Sequence, residues 1–527
     1  MPRFFNTTGP CRPEWHYMVP PIPRLPDAKR LIDQMNYFVV HAPRQTGKTT
    51  TLITLAKELT ASGQYAALYF TCETAEAAGD DYERAEKMIV STICSVSSTH
   101  LPAELRPPPP VSDASGRRLE VLLRAWAIAC PRPLVLFFDE IDAVRGQSMV
   151  SVLRQLRGGF YDRPHSYPAS IILCGLRDVR EYKAASGGDP ERLGTASPFN
   201  IKVASVKMSN FDKEQIDALY RQYTEETGQV FTAEAMQRVW EATEGQPWLV
   251  NALAREITEI MQVPVTESIT AEHIEAAKER LILARATHLD SLVSKLMEPR
   301  VKRIIESLLA GTTLSDVDPT YDDELLYCRD LGLIAPKNPV RIANKIYREV
   351  IARVLGASVE AQLDIDPHSF ILPDGRLNMR MLLDEFVLFW CEHGDLMTHG
   401  SSFREVAPQL VLMAFLQRVV NGGGFVEREY GIGRGRIDLL VRWPYVNDEG
   451  KRVYQREAIE LKVWRDKAKD PLPQALKQID QYLTKLKLEN GVLVIFDRRG
   501  EAAEVEERTR FEEAVTLSGK RVTLLRA

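Results

Sequence analysis

The sequence lacks the features that mark several special classes of protein. Its seven cysteines form no C-x-x-C pair and its nine histidines show no metal-type spacing, so the 527 residues give no indication of a zinc site. No apolar signal core occurs near the N-terminus, and no run of about 18 apolar residues is present that could span a bilayer. We therefore expect a reduced, cytoplasmic protein with no membrane partner.

A strong charge of one sign is also missing. The formal net charge is -5 and the pI is about 6.1, so bulk charge does not argue for a nucleic-acid partner, and any basic surface has to be local. Hydrophobic residues make up 45% and charged residues 26% of the chain, which is an ordinary globular balance. Because domains usually contain about 100–200 residues, the length predicts about three of them.

Short apolar runs alternate with helical patterns in the first third of the chain. Continuous apolar strands alternating with helices indicate a parallel sheet that is covered on both faces, and hence an α/β fold. The predicted strands are Tyr37–Val40, Ala66–Phe70, Leu134–Phe138, Ile171–Cys174 and Ile201–Val206, and the predicted helices are Thr49–Ser62, Tyr82–Ser97, Arg117–Ala129 and Met149–Phe160.

Changes of pattern divide the rest of the chain. The proline-rich N-terminus predicts an extended lead-in, and short helices with a hairpin over Leu333–Ala335 and Val340–Ala343 predict a winged helix. Helices and strands alternate again toward the C-terminus. The predicted divisions are 1–33 (lead-in), 34–210 (first α/β domain), 211–298 (helical lid), 299–356 (winged helix), 357–400 (linker and helical segment) and 401–527 (second α/β domain).

A glycine-rich loop follows the first predicted strand. Residues 42–49 read APRQTGKT, which matches the pattern G-x-x-x-x-G-K-[ST] except that Ala42 replaces the first glycine. Such a loop turns backbone N–H groups toward phosphate oxygens, and the following helix adds the positive end of its dipole. We expect Lys48 to reach the β- and γ-phosphates of ATP and Thr49 to hold Mg²⁺. The predicted nucleotide-binding residues of the loop are Pro43, Arg44, Gln45, Thr46, Gly47, Lys48, Thr49 and Thr50.

Two acids follow the buried strand predicted over Leu134–Phe138. We expect Asp139 to bind Mg²⁺ through water and Glu140 to polarise the water that attacks the γ-phosphate. Two such acids can also be a solvated strand end, but the glycine-rich loop elsewhere in the same predicted sheet favours a nucleotide site. Arg177, after the next strand, is a candidate γ-phosphate sensor, and a surface pair with Asp178 is the alternative.

These motifs together resemble the P-loop ATPase division that contains the AAA+ and STAND proteins and archaeal-type ATPases. An extra strand between the two phosphate motifs and the glutamate after Asp139 carry the resemblance. Gly245-Gln246-Pro247, at the start of a predicted lid helix, is similar to the G-x-P element of that group. The resemblance implies that Pro247 contacts the nucleotide and, by analogy with related ATPases, that the chain assembles into a homo-oligomer.

A second charged constellation lies near the C-terminus. Asp438 lies in one predicted strand, and Glu460 and Lys462 share one face of the next because strand side chains alternate. Charged residues in an apolar strand are expected to have an ion-pair partner or a functional role, since their desolvation is costly. Asp438 and Glu460 can hold Mg²⁺ against a scissile phosphate while Lys462 orients or deprotonates the attacking water. A salt bridge at a sheet edge is the alternative.

The order of elements around these acids resembles the core of the PD-(D/E)xK nuclease superfamily, although Ile437 stands where that family usually has proline. Gln478 and Tyr482 are similar to the Q-x-x-x-Y element of the branch with Mrr-like and RecB-like nucleases, and at i and i+4 they share one helical face. The resemblance implies that Gln478 joins the catalytic set. Glu405, Glu427 and Glu429 stay open as further acids, and a local basic group suited to phosphate contacts comprises Arg428, Arg434, Arg436, Arg442, Lys451, Arg452 and Arg456.

As a whole the chain resembles bacterial AAA-like ATPase proteins with a C-terminal PD-(D/E)xK domain. The resemblance implies an α/β P-loop NTPase with a parallel sheet, a helical lid and a winged helix, followed by an α/β nuclease that ATP hydrolysis gates or loads. It also implies a role in defence against foreign DNA, with DNA favoured over RNA. Three alternatives stay open: a STAND-type signalling ATPase whose nuclease fold only binds DNA, a DNA repair or recombination ATPase, and an adaptor that holds nucleotide structurally.

Overall fold

A computed structural model describes residues 2–110, 115–176, 202–284, 287–296, 298–309, 322–360, 367–399, 407–420, 424–432, 435–466 and 468–527 of the chain. These residues form two compact units. The first comprises Met1–Leu292 and Ser315–Tyr347, and the second comprises Val293–Leu314 and Arg348–Ala527. Within the described ranges, no helix combines the length and apolar character that crossing a bilayer requires.

The first unit is built on a parallel sheet. Its strands are Tyr37–His41 (β1), Ala66–Thr71 (β2), Leu134–Asp139 (β3), Ser170–Gly175 (β4) and Lys202–Lys207 (β5). They lie in the order β2-β3-β4-β1-β5, and every neighbouring pair is parallel. Because the strands are apolar throughout, both faces are buried: Val39 and Leu136 pack into one core, and Phe38 and Val135 into the other. The predicted α/β class is confirmed.

The described helices follow the apolar periodicity of the sequence. One clear example is Lys213–Thr227, which begins with a capping box between Asp212 and Gln215 and ends at Gly228, whose φ of 81° suits glycine. The α-helices are Asp27–Asp33 (α1), Lys48–Ala61 (α2), Tyr82–His100 (α3), Arg118–Ala129 (α4), Gly146–Gly158 (α5), Lys213–Thr227 (α6), Ala233–Thr243 (α7), Pro247–Arg255 (α8), Ala271–Leu283 (α9), Thr287–Leu296 (α10), Pro299–Leu309 (α11), Asp323–Asp330 (α12), Lys345–Glu360 (α13), Met379–His399 (α14), Ala407–Val420 (α15), Leu472–Leu486 (α16) and Val505–Arg508 (α17).

The N-terminal segment differs from the extended lead-in expected for residues 1–33. It contains α1, and its Phe5 and Tyr17 are buried. The ring of Phe5 lies 5.5 Å from that of Tyr220 and 5.7 Å from that of Tyr223, both on α6. Proline content indicates where a regular helix cannot continue, but it does not reveal which distant helix the intervening aromatic residues contact.

The predicted hairpin is confirmed as a short antiparallel bridge between Ile334 and Ile342. The backbone N–H of Ala335 donates to the carbonyl oxygen of Arg341 at 2.8 Å, and that of Ala343 donates to Leu333 at the same distance. The two compact units divide residues 299–356 between them, because only Ser315–Tyr347 belongs to the first. The winged helix therefore stays a prediction.

The second unit has a mixed sheet. Its strands are Phe425–Ile432 (β6), Gly435–Val446 (β7), Arg452–Trp464 (β8), Asn490–Asp497 (β9), Arg510–Val515 (β10) and Arg521–Arg526 (β11). They lie in the order β10-β11-β9-β8-β7-β6, with β8, β9 and β11 parallel to one another and the remaining pairs antiparallel. Strands β10 and β11 extend the sheet beyond β9 and form one of its edges.

Two hydrophobic cores cover the faces of this second sheet. One face, which carries Ile459 and Leu461, packs against α14 and α15. The other carries Leu440 and Ala458 and packs against Ile479 of α16. Helix α14 falls within the linker and helical segment predicted over 357–400, and its buried side chains place it in the core of the unit rather than in a linker. Of those side chains, Leu382, Phe386 and Trp390 follow the i, i+4, i+8 spacing of one helix face, and Leu383 lies next to them.

Candidate functional sites

The glycine-rich loop of the first unit joins β1 to α2. Its backbone has positive φ at Gln45 (57°) and Gly47 (89°), and Ala42 is outside the left-handed region. Since Ala42 needs no left-handed backbone, its methyl group is accommodated where the motif has glycine. The hydroxyl of Thr46 donates to the carbonyl oxygen of Pro43 at 2.9 Å and closes the loop on itself.

Lys48 lies at the start of α2 with its ammonium group folded over this loop. Its Nζ donates to the carbonyl oxygens of Ala42 at 2.7 Å and Pro43 at 2.8 Å. The positive end of the α2 dipole lies at the same place. A helix N-terminus and an ammonium group together make a site that favours an anion such as phosphate.

The carboxylate of Asp139, at the end of β3, meets the start of α2. Its Oδ2 accepts from the hydroxyl of Thr49 at 2.7 Å and from that of Tyr69 at 3.0 Å, and its Oδ1 accepts from the backbone of Glu140 at 3.0 Å. Asp139 is only 2% exposed. A hydroxyl and a buried carboxylate in contact are oxygen donors of the kind that Mg²⁺ prefers, so this pair fits the ion expected from the sequence.

Glu140 follows in a left-handed backbone conformation, with φ 53° and ψ 40°. Its Oε2 accepts from the hydroxyl of Thr71, at the end of β2, at 3.0 Å. Burial raises the pKa of Glu140, the Thr71 hydrogen bond partly offsets this, and the charge of Asp139 raises the pKa further. A carboxylate held in this way beside an anion site is suited to accept a proton from water.

A cavity of about 610 Å³ collects these groups at the carboxyl ends of the strands. Asp142 also lines it, as do Gly9 and Pro10 of the N-terminal segment, and no sequence motif indicated any of these three residues. Among the predicted nucleotide-binding residues, Pro43, Thr46 and Pro247 do not line this cavity. Those that do are Arg44, Gln45, Gly47, Lys48, Thr49, Thr50 and Asp139, together with the predicted base Glu140.

The G-x-P element lies next to the glycine-rich loop. Gly245 has φ 75°, and a Cβ there would come within 1.9 Å of the carbonyl oxygen of Phe211, so only glycine fits without a shift. The Gln246 side chain caps α8 and its Nε2 approaches the carbonyl oxygen of Gln45 at 3.5 Å. Pro247 starts α8 and lines a smaller cavity beside the loop.

The turn after α12 also packs on the loop. A Cβ at Gly332 would lie 2.5 Å from Cγ of Pro43. Asp330, at the end of α12, holds its Oδ1 3.5 Å from Nδ1 of His41 and 3.8 Å from Nζ of Lys207, at the ends of β1 and β5. This part of the chain therefore contacts the phosphate loop directly, which sequence spacing did not indicate.

In the second unit, Asp438, Glu460 and Lys462 lie on one face of the sheet. Leu439 pairs with Ile459 across β7 and β8, so Asp438 and Glu460 are cross-strand neighbours. Since side chains alternate, these charged residues share the face of Leu440 and Ala458, which α16 covers. The face predicted for Glu460 and Lys462 is confirmed by the burial of Ile459 and Leu461 in the opposite core.

The three charged side chains contact one another. Nζ of Lys462 lies 2.7 Å from Oε1 of Glu460 and 4.0 Å from Oδ2 of Asp438. Oδ2 of Asp438 also accepts from the backbone N–H of Leu461 at 2.8 Å. One ammonium group therefore faces two carboxylates, and the cluster holds more negative than positive charge when all three groups are ionised.

Glu460 is the most constrained member of this cluster. It is 2% exposed, and its Oε2 is buried without a hydrogen-bond partner. Burial, followed by the charge of Asp438, raises the pKa of Glu460 to about 7, and Lys462 offsets part of that rise. A buried carboxylate oxygen without a donor, beside a second carboxylate, fits a divalent cation.

Such an ion would need further ligands. Over the ranges that the structure describes, no group of three or more His, Cys, Asp or Glu residues is placed to hold a metal. Asp438 and Glu460 would therefore supply only part of the coordination shell of Mg²⁺, which usually keeps several waters and binds phosphate oxygens as well.

Gln478 and Tyr482 lie on the face of α16 that packs on this sheet. Tyr482 is buried in the core formed with Leu440 and Ala458. Gln478, one turn earlier, has its Oε1 buried without a hydrogen-bond partner. The predicted common face is therefore present, with Gln478 rather than Tyr482 carrying the unsatisfied polar atom.

The other candidate acids and basic residues of this region contact groups outside the charged cluster or lie outside the described residues. Glu427 accepts from Arg442 at 2.9 Å, and Arg456 donates to the carbonyl oxygen of Leu486 at 3.2 Å. Lys451 pairs with Glu449 at 3.1 Å. Arg177, Asp178, Glu405 and Arg434 lie outside the described residues, as do the side chains of Arg428, Glu429 and Arg436.

No family model and no curated protein matches this sequence. Among solved structures, a Walker-type ATPase of Pyrococcus abyssi is similar at 16% identity and a TM-score of 0.44, covering 66% of this chain and 99% of its own. RuvB, the Holliday junction branch migration motor of Thermotoga maritima, has 11% identity and a TM-score of 0.35 over 63% of this chain and 95% of its own. Domain III of the replication initiation protein DnaA of Thermotoga maritima has 12% identity and a TM-score of 0.31 over 51% and 97%.

Similarities this distant carry no functional argument, and the fold of the first unit rests on its own geometry. The parallel sheet places the glycine-rich loop after β1 and the acid pair after β3, with β4 between those two strands. This arrangement matches the P-loop NTPase fold and the extra strand expected from the sequence.

Proposed function

We propose that this chain is an ATP-hydrolysing protein whose second unit is a Mg²⁺-dependent nuclease acting on DNA. The observation that carries the proposal is that Asp438, Glu460 and Lys462 converge on one covered sheet face, with a buried carboxylate oxygen that lacks a donor. The first unit supports it independently through the contact of Thr49 with Asp139 beside the glycine-rich loop.

In the first unit, the loop N–H groups and Lys48 bind the β- and γ-phosphates. The Thr49 hydroxyl and the Asp139 carboxylate would hold Mg²⁺, which when bound neutralises charge on the phosphates. Glu140 orients the attacking water and accepts its proton, and Thr71 sets the position of its carboxylate. The raised pKa of Glu140, caused mainly by burial, increases its basicity for this step.

In the second unit, Asp438 and Glu460 would hold Mg²⁺, which when bound stabilises negative charge on the scissile phosphate. Lys462 orients the water between itself and the phosphate and compensates the charge that develops. Gln478, with its unpaired Oε1, orients a second water or the substrate from α16. Arginines on the same sheet face as the cluster, such as Arg442 and Arg456, are suited to phosphate contacts, and DNA is the substrate that we favour over RNA.

We further propose that nucleotide hydrolysis gates the nuclease or loads DNA onto it. Contacts of Gly332 with Pro43 and of Gln246 with Gln45 support a route from the phosphate loop to the lid and to the predicted winged helix. Assembly into a homo-oligomer and a role in defence against foreign DNA complete the proposal, both on the strength of the sequence resemblance.

Nuclease and ATPase assays on the full chain test this function. The substrates are linear, branched and single-stranded DNA with Mg²⁺, with and without ATP, and the variants are Lys48→Ala and Lys462→Ala. We expect Lys462→Ala to abolish cleavage and leave ATP turnover intact, and Lys48→Ala to abolish turnover and, through coupling, cleavage. Cleavage that persists in Lys462→Ala contradicts the nuclease site, and cleavage that persists in Lys48→Ala contradicts the coupling alone.

The matched control for Lys462→Ala is Lys477→Ala. Lys477 is exposed on α16, close in the chain to Gln478 but outside the charged cluster. We expect this variant to keep both activities, since it removes one positive charge from the same unit without touching the proposed metal ligands. A loss of cleavage in both lysine variants would indicate a general requirement for positive charge rather than a catalytic one.

A further inference from the structure

The end of β8 carries a tryptophan that the proposed nuclease centre does not use. Trp464 lies two residues after Lys462 and on the same face of the sheet, because strand side chains alternate. It is half-buried and packs at the edge of the core that contains Leu440 and Ala458. In an extended strand its backbone lies about 7 Å from that of Lys462. An aromatic ring therefore stands beside the centre, at a distance comparable to one nucleotide.

This end of the strand is also the open end of the charged cluster. The side chain of Glu460 is 3% exposed and that of Lys462 is 25% exposed, so access increases toward Trp464. Near the other end of β8, Arg456 donates to the carbonyl oxygen of Leu486, the last residue of α16, and closes that side. Within this unit, a strand whose phosphate reaches Lys462 from solvent therefore passes close to Trp464.

The indole of Trp464 is fixed in place by two contacts. Its Nε1 donates to the carbonyl oxygen of Ala468 at 3.0 Å. The guanidinium group of Arg499 lies over the ring, with Cζ 3.6 Å from the ring centroid. A planar guanidinium group on an aromatic face is a favourable arrangement for arginine. Trp464 and Arg499 thus form a two-layer stack, which we call the stacking platform.

Arg499 is held by its edge, so its flat outer face stays accessible. Its Nε and Nη2 donate to the two carboxylate oxygens of Asp497 at 2.9 Å and 2.5 Å. Asp497, on β9, pairs with Trp464 in the sheet. The Arg499 side chain is nevertheless 37% exposed. Because the carboxylate of Asp497 already compensates the charge of Arg499, the platform offers a flat surface rather than a free charge for a phosphate.

We propose that the stacking platform binds an unpaired base of the nucleic-acid strand next to the scissile phosphate; this rests on the proposed nuclease function. Bases stack on aromatic side chains and on the plane of arginine guanidinium groups, and such contacts tolerate any base. In a duplex the neighbouring bases cover both faces of each base, so only an unstacked base can reach the platform. The inference therefore favours single strands, flaps and strand ends as substrates.

The second unit contains a matching stack that serves as a control. Cζ of Arg380 lies 4.0 Å from the ring centroid of Phe511, and Arg380 pairs with Asp384 at 3.0 Å. Phe511 packs against the core of the opposite sheet face, together with Ile459 and Leu461. Arg380 therefore has the same kinds of partner as Arg499, an aromatic ring and a carboxylate, but lies away from the charged cluster.

Binding of two single strands of equal length to the full chain tests the proposal. One is oligothymidylate, and the other carries the same phosphates on abasic units. Anisotropy titrations are made with Ca²⁺ in place of Mg²⁺ to keep cleavage from consuming the strands. We expect the wild type to bind oligothymidylate about tenfold more tightly than the abasic strand, because only the first has bases to stack. A ratio below about threefold overturns the proposal.

Four variants locate the base contact. Arg499→Ala and Trp464→Ala should each reduce the ratio of the two affinities below about threefold. Trp464→Phe, which keeps an aromatic face, and the control Arg380→Ala should preserve the ratio. Arg499→Ala should also leave the salt dependence of binding unchanged, since loss of a phosphate contact would reduce its slope by about 1. A reduced slope would show that Arg499 binds phosphate and would overturn the stacking role.

The outcomes separate this inference from the function on which it rests. If the ratio survives in both Arg499→Ala and Trp464→Ala, the platform assignment is wrong, whether or not the chain cleaves DNA. If the ratio behaves as expected but no strand is cut with Mg²⁺, the nuclease proposal fails and the base contact stands. Should Trp464→Ala fail to fold, as judged by its thermal unfolding, the exposed Arg499→Ala decides.

Discussion

The two units place their charged residues in different parts of a sheet. In the first, Lys48, Thr49 and Asp139 lie where strands end and loops begin, and each carboxylate oxygen of Asp139 has a donor. In the second, Glu460 and Lys462 lie within a strand, on a face that α16 covers. The strand-end site is satisfied by its own neighbours, whereas the strand-face site keeps an unpaired oxygen.

This difference separates two ways of building a phosphate site. Backbone N–H groups and a helix dipole supply positive potential at the edge of a parallel sheet without burying a charge. On a covered sheet face most N–H groups pair between strands, so most of the positive charge has to come from a lysine and from a cation. The second arrangement stores unfavourable electrostatic energy in the metal-free protein, and the predictions below depend on that.

The largest expected effect comes from removing the buried carboxylates one at a time. Glu460→Gln should reduce DNA cleavage by about 100- to 1000-fold, since it removes a proposed metal ligand. It should leave the unfolding free energy unchanged or higher, because the repulsion between the buried Glu460 carboxylate and the neighbouring Asp438 carboxylate disappears. Asp139→Ala should instead lower the unfolding free energy by about 2 kcal/mol, because three donors lose their acceptor. Cleavage assays and urea unfolding measure these effects.

Of the two substitutions, only Asp139→Ala is expected to lower the unfolding free energy. A destabilisation by Glu460→Gln as large as that by Asp139→Ala would show that the strand-face cluster is a structural salt bridge. The alternative held open from the sequence would then be correct for the second unit.

A change of pH is expected to have a smaller effect on the unfolding free energy of the metal-free protein. The pKa of Glu460 is raised from 4.5 to about 7, so between these values the folded protein keeps a proton that the unfolded chain has released. The stabilisation that Glu460 gives through this proton is therefore fully present below pH 4.5. It falls as the pH rises to about 7, by up to about 3 kcal/mol. Urea midpoints of wild type and Glu460→Gln, compared from pH 5 to pH 8, isolate this term.

The same measurement with added Mg²⁺ gives a second test of the pH prediction. A divalent ion favours the ionised carboxylate and should therefore stabilise the wild type at pH 8. Added Mg²⁺ should reduce the amount by which the unfolding free energy of Glu460→Gln exceeds that of the wild type. If the difference in unfolding free energy between Glu460→Gln and the wild type does not depend on pH, Glu460 is not the titrating group.

The smallest effect tests the contact between the phosphate loop and the turn after α12. Gly332 and Gly228 have similar φ angles of 77° and 81°, but a Cβ meets Pro43 only at Gly332 and open space at Gly228. Gly228→Ala should cost about 1 kcal/mol through backbone strain alone. Gly332→Ala should cost about 1 kcal/mol more and weaken ATP binding, because the loop has to shift. Equal effects of the two variants on thermal unfolding and ATP affinity would contradict a link through Pro43.

Much of both sites was predictable from local sequence patterns. The apolar runs located the strands, and the alternation of Glu460 and Lys462 with Ile459 and Leu461 assigned their faces correctly, because strand period is a local property. The glycine-rich loop was predictable because its function requires fixed residue types at fixed spacing.

What the sequence did not indicate depends on contacts between distant segments. The N-terminal residues before α1 carry no periodicity, yet they line both cavities through contacts with α2 and α8. Thr71 lies at the end of β2, far in sequence from Glu140, and the two meet only because β2 and β3 are neighbours. Such pairings become visible once strand order is known, and a single sequence does not supply it.

The most direct test of the account is anomalous diffraction from crystals of the full chain soaked in Mn²⁺ and a non-hydrolysable ATP analogue. Mn²⁺ occupies oxygen sites of the Mg²⁺ type and can be located without ambiguity. We predict two peaks, one beside Thr49 and Asp139 and one between the carboxylates of Asp438 and Glu460. A peak at the nucleotide with none at Asp438 and Glu460 would contradict the proposed nuclease centre.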